Sequence, residues 1–297
     1  MRSVATRRVD YSAFTAVLPV VALLPPWLVA VFLFWIPLGL FSEVPFAVFA
    51  LAALLLGVVL FSRPVQRLVF VKMLGARTPT PGELDRLEPL WREVAQANHF
   101  APNRFVLAVA DGDDLNAFAC GGHLLVVSSF AVERLTDDEL TGVLAHELSH
   151  HLGGHTVALT VAQWMSLPII AVARLGFILR NLSDRATVAV ARKHPNLRFI
   201  GIAISFVLTL ASRVMLLGLV IAQTLGNAVG RGAEYQADRR AFEMGFGAEL
   251  LSALKHVAPI RPQAEQPAFA GVVVMSHPPA RTRIARLEAM MRASRGR

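Results

Sequence analysis

The sequence predicts a mainly α-helical integral membrane protein: four apolar helices, with a polar α+β domain that holds a small sheet and is split around the second helix pair. Three observations predict it. The 297 residues are 55% hydrophobic and 17% charged, against roughly 45–50% and about 25% in ordinary soluble domains. Long apolar runs fall in two pairs, one early in the chain and one between residues 157 and 230. The polar stretches carry helix caps, turn signals and strand-like alternation. This composition excludes a disordered or collagen-like chain. The 29 Lys and Arg against 21 Asp and Glu give a net charge of +8, which in so apolar a chain points to a bilayer with anionic headgroups. The basic residues flank apolar segments and are not interleaved with aromatics, so no nucleic-acid partner is expected. Cys120 is the single cysteine, which leaves no intramolecular disulfide and no cysteine-rich zinc site.

The apolar elements come first. Residues 13–42 carry no charge, enough to span a hydrocarbon core of roughly 30 Å that needs about 20 helical residues. Pro19, Pro25, Pro26 and Pro37 are expected to bend this run or set its ends. The run is too long for a cleaved signal peptide, shows no clear small-residue cleavage site and meets a second uncharged run, 44–62, after Glu43. Residues 157–179 and 199–230 are also apolar but carry Arg174 and Arg213, each of which must snorkel, face a wet cavity or find a partner. Their alternative is a pair of long helices buried in a soluble domain. Arg2, Arg7 and Arg8 precede the first run, and Arg63, Arg67, Lys72 and Arg77 follow the second, so both ends of that pair read as cytoplasmic. Arg180, Arg185, Arg192, Lys193 and Arg198 break this pattern if the second pair crosses fully, whereas a shallow hairpin removes the conflict. Both topologies fit the sequence. The organisation read from these boundaries is an N-terminal hairpin (1–62), a first polar part (63–156), a second apolar pair (157–230) and a C-terminal polar part (231–297).

The polar elements follow in order. Residues 81–98 place Leu84, Leu87, Leu90 or Trp91, and Val94 at helical spacing, with acidic Glu83 and Asp85 near the start. Residues 104–110 are β-like, and Asp111-Gly112-Asp113-Asp114 signals a turn. Residues 116–120 and 123–128 read as two strands around Gly121-Gly122. Thr136-Asp137-Asp138-Glu139 is a capping box opening a helix with Leu140, Val143, Leu144 and Leu148 on its apolar side. Helices are expected over 231–245, 248–257 and 279–292, with a Pro-marked loop between the last two.

The capped helix carries His146-Glu147-Leu148-Ser149-His150, an H-E-x-x-H motif. Spacing i, i+4 puts both imidazoles on one face, where two nitrogens reach one ion. Glu147 lies about 100° round the helix from His146, placed to take a proton from a water the ion activates. The alternative, a helix with two solvated histidines, fits poorly beside Val143, Leu144 and Leu152. A catalytic zinc needs a third protein ligand and an open position. Glu234 is the candidate: Glu234 and Asp238 share a helix face, so one can ligate while the other receives a ligand histidine's second N–H. Two crossings, or one shallow hairpin, return the chain to the side of His150. His151 and His155 fall off the ligand face by about 100° and about 140°, and read as surface or supporting residues. His99, His123, His194 and His256 stand in no motif.

Leu144-Ala145-His146-Glu147-Leu148-Ser149-His150, Glu234-Tyr235-Gln236-Ala237-Asp238, and Ser276-His277-Pro278-Pro279 with Arg283-Ile284 together resemble the HtpX-type membrane zinc metalloproteases, gluzincins related to the CAAX prenyl proteases. Asn116-Ala117-Phe118-Ala119 also fits that pattern. The resemblance covers roughly residues 63–290 and implies a zincin-like catalytic domain. It implies a multi-pass endopeptidase of the inner or plasma membrane, with one Zn2+ per chain, its site facing the cytoplasm, and polypeptide substrates. The role implied is quality control of misfolded membrane proteins under stress. By the same resemblance His146, His150 and Glu234 ligate zinc, Glu147 is the general base, and Asn116, Ala117, Phe118 and Ala119 form an edge strand for substrate. His277 and Arg283 lie near the site and steady the oxyanion or the acidic ligands. Cys120, where a small or hydroxylated residue is expected, and the basic 180–198 loop depart from the pattern. A specific CAAX-type processing protease and a non-catalytic scaffold with a vestigial metal site are the alternatives.

Overall fold

The computed structural model describes residues 17–113, 115–152, 154–191, 194–257 and 279–295. The first apolar run forms one continuous helix, α1 (Leu18–Gly39), with Pro25, Pro26 and Pro37 inside it. Pro19 stands at its start, as expected of a proline that sets an end, and the internal prolines do not interrupt it; in an apolar helix packed on neighbours, a missing N–H is absorbed locally. The second run departs further from expectation. α2 (Phe46–Leu56) stops after 11 residues and tightens into a 3-10 stretch, Gly57–Phe61. The chain then bends by 71° into Arg63–Phe70, whose last part, Gln66–Phe70, is a π-helix.

The remaining apolar segments are the long helices α6 (His155–Ala191) and α7 (Arg198–Glu243), of 37 and 46 residues. At 1.5 Å per residue they run about 55 and 69 Å, well beyond the roughly 30 Å of a bilayer core. Among the described residues, three helices are long and apolar enough to cross a membrane, and four if the bent pair makes one span. α6 and α7 pack along each other as a long helical hairpin. Leu23, Trp27, Ala30 and Val31 of α1 pack against Met165 and Ile169 of α6 and Met215 of α7. Ile178, Leu182 and Phe199, each more than 60% exposed, face outward, which is costly in water and favourable in lipid.

A second core belongs to the polar part. It is built on α3 (Pro81–Ala97) and a four-stranded sheet. The strands are β1 (Ala76–Arg77), β2 (Val106–Ala110), β3 (Ala117–Cys120) and β4 (Leu124–Ser128), in the spatial order β1-β2-β4-β3. β2 and β4 are parallel, and the other pairs are antiparallel. After the short α4 (Ser129–Arg134) comes α5 (Asp137–Leu152), then, beyond the long hairpin, α8 (Gly247–Val257) and α9 (Ala280–Arg295). Trp91, Leu125, Leu144, Phe246, Leu250 and Leu287 bring α3, the sheet, α5, α8 and α9 into one cluster. Arg86 of α3 ties that scaffold to the start of α5, donating to Asp137 at 2.9 Å and to the Leu135 carbonyl at 2.6 Å.

Candidate metal centre

Local sequence fixes α5 first. The Glu139 N–H donates to Thr136 Oγ1 at 3.3 Å and the Thr136 N–H to Glu139 Oε2 at 3.0 Å, closing the capping box. Three acidic residues in the first turn meet the positive end of the helix dipole. From α8, Ser252 donates to Glu139 at 2.9 Å and His256 Nδ1 lies 3.1 Å from it. Burial opposes ionisation of Glu139, but the Thr136 N–H, His256 and Ser252 outweigh it and hold the carboxyl below its ordinary range. Gly142 lets α8 lie directly on α5, since a Cβ there would collide with the backbone of Leu250. Nothing in the sequence paired His256 with Glu139; only the packing of α8 on α5 joins them.

On the far turns of α5, His146 and Glu147 are each 3% exposed and His150 is half-buried. Ligand atoms of His146, Glu147 and His150 lie within 4.8 Å of one another. Glu234 and Asp238 arrive on the last turns of α7, past its apolar run, and are 5% and 1% exposed. His146 Nε2 and His150 Nε2 stand 3.2 Å apart, and the Glu234 carboxylate stands 3.2 Å from His150 Nε2 and 3.4 Å from His146 Nε2. Two zinc ligands at about 2.0–2.1 Å on a tetrahedron are about 3.3 Å apart, so the imidazole pair fits one such ion, with Glu234 Oε1 turned toward His150 and Oε2 toward His146. Two facing imidazole nitrogens also cannot bond each other without a shared proton or cation.

The opposite side of His146 is held as well. Its Nδ1 lies 3.0 Å from Asp238 Oδ1, leaving Nε2 for the centre. Arg283 of α9 is 5% exposed; it donates to the two Asp238 oxygens at 2.9 and 2.6 Å and lies 3.4 Å from Glu234. Arg286, one turn on, covers the Tyr235 ring at 3.7 Å and so helps dock α9 on α7. Burial raises the Asp238 carboxyl, but Arg283 and His146 bring it down to about 2. Burial and the Arg283 charge press His146 toward neutrality, yet Asp238 and Glu234 hold it up at about 9. The two carboxylates thus favour positive charge at His146 against both burial and Arg283.

Of the other expected residues, His277 lies outside the described residues. β3 is at the sheet edge, so Ala117, Phe118 and Ala119 lie on an edge strand, and Asn116 precedes it, exchanging bonds with Ser128. Cys120 packs at the end of β3, where burial pushes its thiol up to about 11 and leaves it protonated at neutral pH. His151 is half-buried and takes the supporting role of the two expected: its Nε2 lies 3.2 Å from the Leu124 carbonyl and ties α5 to β4.

Comparison with known proteins decides what this arrangement belongs to. Residues 82–291 match the family model described as "Peptidase family M48". The chain belongs to peptidase family M48. It is similar to Protease HtpX of Shewanella baltica (strain OS185), at 29% identity over 223 residues, 68% of this chain and 72% of that protein. Protease HtpX of Actinobacillus pleuropneumoniae serotype 5b (strain L20) matches at 28% over 207 residues, 65% of this chain and 68% of that one. The crystal structure of S. mikatae Ste24p aligns with a TM-score of 0.48 and 20% identity, covering 82% of this chain and 57% of that chain. The M48 peptidases are zinc-dependent in general, and this member, with its apolar helices, is a membrane metalloprotease.

Proposed function

We propose that the chain is a zinc endopeptidase that cuts locally unfolded polypeptides, membrane proteins among them, in quality control. The observation that carries the reading is the triangle formed by His146 Nε2, His150 Nε2 and the Glu234 carboxylate, with sides of 3.2 to 3.4 Å. His146, His150 and Glu234 would hold one zinc ion per chain. Bound there, zinc supplies Lewis acidity, lowering the pKa of a water toward neutrality and polarising a carbonyl. Glu147 accepts the proton of the attacking water and delivers it to the leaving amine. Asp238 keeps His146 in the tautomer that presents Nε2. Arg283 neutralises part of the carboxylate charge and keeps Asp238 and Glu234 in place. The outer edge of β3, with Asn116, Ala117, Phe118 and Ala119, would bind substrate as an added strand. Strand addition reads main chain more than side chains, which supports broad selection of unfolded segments over a single terminal motif.

The reading places the protein in the inner or plasma membrane with the site toward the cytoplasm. Arg63, Arg67 and Lys72, directly after the second apolar run, support that orientation. Purified Glu147→Gln in detergent is expected to keep its zinc and to lose cleavage of casein. Normal cleavage by that variant would remove Glu147 from the role of base.

A further inference from the structure

Gln66 sits in the π-helix just after the 71° bend and is 0% exposed. Pro64 has no N–H to give the carbonyl of Leu60, four residues back, and Gln66 Nε2 donates to that carbonyl at 3.2 Å. The same Nε2 donates to the carbonyl of Gly121 at 2.5 Å. Two carbonyl acceptors fix the amide's orientation, and Oε1 has no hydrogen-bond partner among the described residues. From another side Thr160 of α6, 1% exposed, accepts the Gly121 N–H at 3.1 Å while donating its own proton to the Thr156 carbonyl at 2.8 Å. Both backbone polar groups of Gly121 are thus held by buried side chains from two different apolar segments.

Gly121 opens the turn that joins β3 to β4, next to the paired residues Cys120 and Leu124. Its φ is +60°, and a Cβ there would stand 2.5 Å from Gln66 Nε2, so glycine alone permits this approach. At its other end β3 packs through Ala117 into the cluster that holds Leu144 and Leu148 of α5. The turn end of the strand therefore takes its position from the apolar helices, and the other end from the metal-site helix.

We propose that Gln66 and Thr160 are positioning residues for substrate: by clamping Gly121 they set where the outer edge of β3 lies relative to α5. The inference rests on reading 116–119 as the substrate strand. Neither side chain touches the reacting atoms, so their loss weakens the hold on an extended peptide and leaves the metal and the base intact.

The test uses the full-length enzyme in detergent, with an extended peptide substrate and the same peptide N-methylated along its backbone away from the scissile bond. Wild type is expected to show a higher KM for the N-methylated peptide. Gln66→Leu and Thr160→Val are each expected to raise KM for the plain peptide about tenfold, with kcat within about twofold and zinc content unchanged. Thr160→Ser keeps the accepting hydroxyl and is expected to restore the wild-type KM. Should Gln66→Leu fail to fold, the Thr160→Val and Thr160→Ser pair carries the test alone. An unchanged KM in Thr160→Val, or a loss confined to kcat or zinc content, overturns the clamp while the strand reading stands. Equal KM for both peptides in wild type overturns the strand reading and the clamp with it.

Discussion

The His146–His150 half of the site and the Glu234–Asp238–Arg283 half reach the same point by different physics. The first half is local. Five consecutive residues on one capped helix set the imidazole spacing, and apolar burial of Leu140, Leu144 and Leu148 fixes the helix before any ion arrives. The second half is assembled from α7 and α9, and charge holds it: Arg283 against Asp238 and Glu234, with Asp238 against His146. The difference teaches that the two halves fail differently. Damage to the first removes chemistry with the fold intact, whereas damage to the second leaves buried charge without a partner.

The largest effect is expected at Glu147. Glu147→Gln should lower kcat about 10³-fold with metal content and melting temperature preserved, measured by peptide cleavage, metal analysis and thermal unfolding. Next comes Arg283→Met, which takes the shared cation from the buried Asp238 and Glu234 carboxylates. It should cost about 3–5 kcal/mol of stability, read from unfolding of the metal-free protein in detergent. A stable Arg283→Met with low activity would move Arg283 into the chemistry and blur the contrast between the halves. Asp238→Asn is expected to weaken zinc affinity about 10–100-fold by loosening His146, seen in a chelator titration, with smaller loss of activity at saturating zinc.

The smallest effect concerns the scaffold under the first half. Arg77 bonds Glu83 at 2.7 and 2.8 Å, and this hydrogen-bonded fork lowers the carboxyl from 4.5 to about 2, against the opposing effect of burial. A carboxyl lowered on folding stabilises fully above its unfolded pKa, and that contribution is lost as pH falls from about 4.5 toward 2. Because Arg77 is 37% exposed, solvent screening reduces the term to about 1 kcal/mol. Arg77→Gln should therefore lower the melting temperature at neutral pH and flatten its acid dependence in that window.

Legibility in the sequence follows the same division. The capping box at Thr136 and Glu139, the ligand spacing on α5 and the strands at 117–120 and 124–128 were readable because each rests on a local period or a short motif. Glu234 and Asp238 were readable as a pair on one helix face, but which of them approaches His146 Nε2 depends on how α7 packs on α5. β1, of two residues, is too short to leave a period. The bend after Phe61 carried only Pro64 as a signal, and the prolines of α1, equally strong signals, produced no break. His256 on Glu139 and Gln66 on Gly121 join residues 117 and 55 positions apart, and no pattern along the chain connects them. His151 is left between a surface and a supporting role by the sequence, because helical angle alone does not reveal that β4 runs beside that face of α5.

Zinc stoichiometry in the wild type and two variants tests the centre most directly. Wild type and Glu147→Gln should each retain about one zinc per chain after dialysis against a weak chelator, while Glu234→Ala, with its fold verified, should lose it. Full zinc retention by Glu234→Ala, at unchanged affinity, would contradict a centre that joins α5 to α7.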